Sequence, residues 1–217
     1  MSREHPLQAG LLLLGTRNRG KIQEAKDLLS GVSGLTLLTT SDIAFSDVPE
    51  TGTSFLENAI LKARSICLET GLPVLSEDAG LEVDALDGAP GVYSARFAGE
   101  PTNTDKNNAL LLEKLQGVVY RGARFVAVAA LCLADGQTFV CSGVFPGTIA
   151  TKPSGDGGFG YDPLFIPEGE TRTLAEMSLG EKNAISHRQK ALVRMAGILE
   201  DLVRSHELST PASSGSK

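Results

Sequence analysis

Val74-Leu75-Ser76-Glu77-Asp78-Ala79-Gly80-Leu81-Glu82-Val83-Asp84 is the stretch on which the fold and the chemistry of this chain turn. An apolar pair, Val74-Leu75, leads into two adjacent carboxylates, Glu77 and Asp78. Ala79-Gly80 reads as a small-residue turn, and an alternating run from Leu81 to Leu86 leads away from it. Carboxylates at the end of a strand, beside a tight turn, suit a hard cation such as Mg²⁺, which takes oxygen ligands and keeps several waters. An exposed acidic turn accounts for the same residues, so the company they keep has to decide.

Upstream, Leu11 to Leu14 reads as a buried strand bounded by Gly15. Gly15-Thr16-Arg17-Asn18-Arg19-Gly20-Lys21 follows, and then Ile22, Ala25, Leu28 and Leu29 mark one face of a helix ending near Gly31. Strand, polar glycine loop and helix N-terminus together form an arrangement that holds phosphate on backbone N–H groups. A solvated loop fits these residues too. The loop follows the Walker A pattern as far as Gly15, Gly20 and Lys21, but Ile22 stands where a Ser or Thr would bind Mg²⁺. Any metal must therefore be held elsewhere. Leu35 to Thr40 is a second candidate strand, and Asp47 to Gly52, with Glu50, is an acidic loop. Ser54 and Glu57 have capping-box spacing ahead of a helical stripe of Leu56, Ala59, Ile60, Ala63 and Cys67, which stops at Gly71 and Pro73. Glu50 and the Glu77-Asp78 pair thus sit in loops around one sheet, where α/β proteins place ligands.

The 217-residue chain reads as one domain over 11–205, with a loose leader at 1–10 and a disordered tail at 206–217. A net charge of −6 and a pI near 5.1 argue against a protein that coats duplex nucleic acid, while leaving room for a small anion held by local Lys and Arg. Cys67, Cys132 and Cys141 are widely spaced and odd in number, as expected of reduced, buried thiols. Leu11 to Leu14 is too short for a signal or membrane segment, so the cytoplasm is the expected compartment.

Asp87 to Gly99 is broken by glycine and proline and carries two exposed-looking aromatics, Tyr93 and Phe97. Asn103 to Leu115 reads as a helix with Thr104 as its cap. Arg124 to Leu133 and Thr138 to Val144 form a hairpin across Asp135-Gly136, with Thr148 to Thr151 extending the sheet. In Gly155-Asp156-Gly157-Gly158-Phe159-Gly160-Tyr161-Asp162-Pro163 the glycines let backbone approach a flat ligand. There Phe159 or Tyr161 could stack on a base and Asp162 could accept from a ring N–H, although a glycine-rich turn over core aromatics reads equally well. Ser178-Glu181 and Ser186-Gln189 are two capping-box spacings, which place a helix break before Ser186. One straight helix would point Lys182 and His187 about 140° apart. The break lets Lys182, His187 and Arg188 converge on one anion; a surface charge cluster is the alternative. A bound polyphosphate would also offset the conflict of cations with the helix N-terminus.

Taken in order, Thr16-x-Asn18-x-Gly20-Lys21, Glu50-Thr51-Gly52-x-x-Phe55-x-x-Asn58-Ala59, Glu77-Asp78-x-Gly80-Leu81, Gly88-Ala89-Pro90-Gly91, Phe159-Gly160-Tyr161-Asp162-Pro163 and Glu181-Lys182-x-Ala184-x-Ser186-His187-Arg188 resemble the inosine/xanthosine triphosphate pyrophosphatase family. The resemblance runs from about Leu11 to about Val203. It implies an elongated two-lobed α/β fold, with a central mixed sheet flanked by helices, an active cleft between the lobes, and a homodimer. It implies Mg²⁺-dependent hydrolysis of ITP, dITP and XTP to the monophosphate and pyrophosphate. It further implies a phosphate loop at Thr16, Asn18 and Lys21, with the neighbours Arg17, Arg19 and Gly20 contributing backbone and the two arginines making the loop more basic than the common form, and metal ligands Glu50, Glu77 and Asp78, with Asp78 as general base. The base pocket falls on Phe159, Gly160, Tyr161 and Asp162, and a last cluster on Lys182, His187 and Arg188. Ala79 departs from the Ser or Thr of many members, so only a backbone contact to substrate is expected there.

Overall fold

The computed structural model of the chain describes residues 10–205 and Leu208; the expected leader up to residue 9 and the rest of the expected tail lie outside them. A six-stranded sheet is built from β1 (Gly10–Leu14), β2 (Leu35–Leu38), β3 (Val74–Val83), β4 (Gly122–Cys132), β5 (Thr138–Ile149) and β6 (Phe165–Pro167). Its spatial order is β2-β1-β3-β4-β5-β6. β1 runs parallel to both β2 and β3, and the remaining pairs are antiparallel. The helices are α1 (Arg19–Leu29), α2 (Phe55–Thr70), α3 (Thr104–Lys114), α4 (Leu179–Ile185) and α5 (His187–Arg204).

The helix boundaries follow from capping chemistry. Asn18 caps α1, its side chain accepting from the Lys21 N–H. Ser54 caps α2, and Gly71 ends it in the left-handed conformation at φ 69°. Glu57 turns away from Ser54 and accepts from Thr53 instead, so that capping box is only half made. Ser178 heads α4 in a complete box, and Ser186 caps α5, which produces the break expected there. The cap of α3 is Asn103 rather than Thr104. Leu56 is 45% exposed; Phe55, Asn58 and Ile66 take the buried positions of α2 beside Ala59, Ala63 and Cys67.

The largest departure from the sequence reading is at Ala79-Gly80. There is no turn: β3 continues through both residues and pairs with β4 from Val74↔Cys132 to Val83↔Ala123. Gly80 is required for close approach. A Cβ there would come within 2.4 Å of Ser94 Oγ and 2.7 Å of the Gly91 carbonyl, both from the 3₁₀ turn Gly91–Arg96 laid over the strand.

An unbroken strand sends successive side chains to opposite faces. Leu75 and Ala79 pack with α1 and α5 in one core, which includes Leu12, Leu29, Leu192, Met195 and Leu199. Val74 packs with α2 in a second core, which includes Ala59, Ala63 and Ile66. The far halves of the long strands (Leu81, Val83, Phe125, Phe145, Ile149) make a third core with α3 and Phe165. Leu208, assigned by the sequence to the tail, is fully buried in the first.

Candidate active site

Alternation along β3 separates the two adjacent carboxylates. Glu77 points to the α1/α5 face and meets Arg188 from the first turn of α5, whose Nε donates to Glu77 Oε2 at 2.8 Å and Oε1 at 3.0 Å. Lys21 Nζ, from α1, lies 3.5 Å from the same carboxylate. Glu24, one turn along α1, accepts from the other arm of Arg188. Burial alone would raise the Glu77 pKa, but Lys21 and Arg188 outweigh it and hold the group down at about 2.

Asp78 points to the α2 face. Asn58 Nδ2 donates to Asp78 Oδ2 at 3.2 Å, and Lys62 Nζ donates to Oδ1 at 3.1 Å. The same Lys62 nitrogen donates to Glu50 Oε1 at 2.5 Å and to the Glu77 carbonyl at 2.9 Å. Burial raises the Asp78 pKa, with Lys62 opposing and Glu50 reinforcing that rise. Burial also disfavours ionised Glu50, but Lys62 overrides it and the pKa falls. The expected acidic trio therefore resolves into a pair, Glu50 and Asp78, sharing one cation, and a separate carboxylate committed to Arg188. No cluster of three or more His, Cys, Asp or Glu gathers among the described residues. The pair nonetheless fits Mg²⁺ in chemistry: both donors are carboxylate oxygens within reach of one point, and Mg²⁺ commonly takes one or two carboxylates and completes its shell with water and phosphate oxygens.

Two clefts open beside these groups and meet at Lys21, which lines both. The first, about 180 Å³, lies where the first and third cores adjoin. Its walls are Ala79, Phe125, Phe145, Phe159, Gly160 and Tyr161, with Asp162, Lys182, His187 and Arg188 as polar groups. The ring of Phe159 is 64% exposed, and Lys182 Nζ stands 4.3 Å from its centroid. Lys182 also donates to buried Asp162, which accepts from the Phe159 N–H at 2.8 Å. Gly158, at φ 73°, leaves room for that carboxylate, since a Cβ there would collide with Asp162 Oδ2. Tyr161 is anchored through its hydroxyl to the Ser94 carbonyl at 2.9 Å, so Phe159 is the ring free to stack. His187 stacks on Phe125 at 5.1 Å and 12°. Burial, with Arg188 adding to it, lowers its pKa to about 3, so it is neutral near pH 7. Its Nδ1 has no hydrogen-bond partner among the described residues.

The second cleft, about 220 Å³, is lined by Thr16, Arg17, Asn18, Lys21, Glu50, Lys62 and Glu77, among others. Arg17 there is already engaged, donating to the Phe45 carbonyl at 2.6 Å and standing 3.4 Å from Asp47. Arg19 and Gly20 line neither cleft, and Asp78 borders the second only through Lys62. Lys62 and Glu24 were not among the sequence candidates. The i, i+4 spacing of Asn58 and Lys62 on α2, and the i, i+3 spacing of Lys21 and Glu24 on α1, were the available signals.

Residues 12–198 match the model of the Ham1 family. A dITP/XTP pyrophosphatase of Xanthomonas oryzae pv. oryzae is 48% identical over 188 residues, covering 85% of this chain and 94% of that one. One of Streptomyces avermitilis is 47% identical over 197 residues, covering 88% and 98%. Among solved structures, a HAM1 protein from Coxiella burnetii superposes with a TM-score of 0.83 at 38% identity, covering 88% of this chain and 98% of that one. A nucleoside-triphosphatase/dITP/XTP pyrophosphatase from Mycobacterium abscessus gives 0.75 at 43% identity, covering 85% and 98%. With the mixed sheet, the paired clefts and these matches along nearly its whole length, the chain belongs to the Ham1 family.

Proposed function

We propose that this protein hydrolyses dITP, ITP and XTP to the nucleoside monophosphate and pyrophosphate, with Mg²⁺ as cofactor. The observation that carries this assignment is the junction at Lys21. An aromatic cleft of about 180 Å³ opens there into a cleft bearing two lysines and the cap of α1, with a carboxylate pair alongside. The names of the relatives, dITP/XTP pyrophosphatase, support the substrate class.

In this assignment the purine lies in the first cleft against Phe159, with Lys182, His187 and Arg188 around its edge. A pocket of donors facing the 6-oxo group would meet the amino group of adenine donor against donor, and unpaired buried polar groups make such rejection strong. The phosphates lie along the second cleft, with Thr16 and the α1 N-terminus at one side and Lys21 and Lys62 at the other. Glu50 and Asp78 would hold Mg²⁺, which when bound neutralises phosphate charge and orients the leaving group. Asp78, held by Asn58, takes the proton of the water that attacks the α-phosphorus. Lys21, which lines both clefts, stabilises the charge that develops on oxygen. The resemblance also favours a cytoplasmic homodimer, which light scattering of the purified protein would check for its oligomeric part.

The test is a panel of nucleoside triphosphates with Mg²⁺ and pyrophosphate detection. dITP, ITP and XTP should release pyrophosphate well above dATP and the pyrimidine nucleotides. Equal release from dATP, or none from dITP and XTP, overturns the proposal.

A further inference from the structure

Lys62, placed above beside the phosphates, is already engaged elsewhere in the structure. Its three N–H bonds are spent on Glu50 Oε1, Asp78 Oδ1 and the Glu77 carbonyl, at 2.5, 3.1 and 2.9 Å. The side chain is 13% exposed. Asn58, one helical turn earlier, takes the remaining oxygen of Asp78. The point at which Glu50 and Asp78 converge is therefore already filled by a positive charge that belongs to the chain. From this geometry, and resting on the function proposed above, we infer that Lys62 is the resident counter-ion of the carboxylate pair. A divalent cation can enter only after Lys62 has left, so metal binding waits on the triphosphate.

A tethered ammonium competes at a high effective concentration, while Mg²⁺ gives up its waters reluctantly. In the nucleotide-free protein Lys62 holds the pair against free metal. The structure also shows where Lys62 would go. It lines the second cleft, and Lys21 reaches the same Glu77 carbonyl from the α1 side at 3.4 Å. Two ammonium groups thus stand around a single oxygen at the cleft wall. A polyphosphate between them offers Lys62 anionic acceptors. The move frees the oxygens of Glu50 and Asp78 that Lys62 held, with Arg96 still 3.9 Å from Glu50, at the moment a phosphate-bound cation arrives. Nucleotide and metal would then bind cooperatively, and metal alone would bind poorly.

The probe is Mn²⁺, followed by electron paramagnetic resonance with no nucleotide present. Lys62→Met should bind Mn²⁺ about ten- to a hundredfold more tightly than the unaltered protein, the usual range for coupled sites. Thermal melting reports whether the variant folds, and Lys62→Gln serves if it does not. In the unaltered protein carrying ¹⁵N at lysine Nζ, the Lys62 signal should stay in place with Mg²⁺ alone and move when pyrophosphate is added with it. Equal Mn²⁺ affinity in variant and parent, no Mn²⁺ binding by either, or a Lys62 signal that moves with Mg²⁺ alone overturns the inference. None of these readouts involves turnover. Failure of the nucleotide panel would sink the proposed substrate and leave these measurements standing.

Discussion

Glu77→Gln tests the division of labour along β3 most directly. The substitution keeps the shape of the side chain and removes the charge facing Arg188 at 2.8 Å and Lys21 at 3.5 Å. Removing one partner of a buried pair costs about 3–5 kcal/mol. The depression of the Glu77 pKa from 4.5 to about 2 corresponds to roughly 3 kcal/mol at ~1.4 kcal/mol per pH unit. Glu24 still engages Arg188, so the lower figure is expected, about 3 kcal/mol. At an m-value of roughly 3 kcal/mol/M, the urea midpoint at pH 7 should fall by about 1 M. The pH dependence follows from the sign of the shift. Stability from a depressed carboxylate is fully present above the unfolded value of 4.5 and is lost as pH falls from there toward about 2. The gap between parent and variant should hold from pH 7 to 5 and shrink below about 4.5. The double variant Glu77→Gln/Arg188→Met also takes the partner of Glu24 away and leaves Lys21 without Glu77, so it should be no more stable than the single variant. Glu77→Gln should also retain Mn²⁺ binding in the presence of pyrophosphate, whereas Glu50→Gln should not. An unchanged urea midpoint refutes the buried pairing. Loss of metal binding in Glu77→Gln equal to that in Glu50→Gln refutes the separation of Glu77 from the Glu50–Asp78 pair.

Asp78→Asn should lower kcat by about 10²–10⁴-fold with the fold intact by circular dichroism; near-normal turnover would remove Asp78 from proton transfer. Phe159→Ala should raise KM for dITP roughly tenfold, since stacking on a base is worth about 1–3 kcal/mol, and an unchanged KM would move the base elsewhere. Gly143→Ala places a Cβ 2.0 Å from the His187 carbonyl and 2.8 Å from the Ala191 nitrogen. It should cost about 1–3 kcal/mol by denaturation and reduce kcat/KM by shifting the turn that carries His187 and Arg188.

The sequence was most legible where local chemistry sets structure. Ser54, Ser178 and Ser186 mark helix starts through bonds within three residues of themselves, and the break before α5 was read from the last two. The leucine strand β1 and the Asp135-Gly136 hairpin were legible for the same reason. Ala79-Gly80 was misread because glycine has two uses. Here it admits a neighbouring turn from residues 91–94, a contact no window around β3 contains. That error hid the alternation and with it the separation of Glu77 from Asp78. Lys62, Glu24 and the pairing of Lys182 with Asp162 depend on contacts between distant elements, and each residue alone looks like an ordinary solvated charge. The order of the motifs nonetheless carried the family, and the family carried the fold.

β3, β4 and β5 run without interruption from the cores under α1, α2 and α5 into the core beside α3. A plank shared by both ends means that any movement of one against the other must bend or twist the strands themselves. Gripping a nucleotide then falls to parts not woven into the plank: the ring of Phe159 on its glycine loop, the joint at Ser186, and the lysines that reach across the gap.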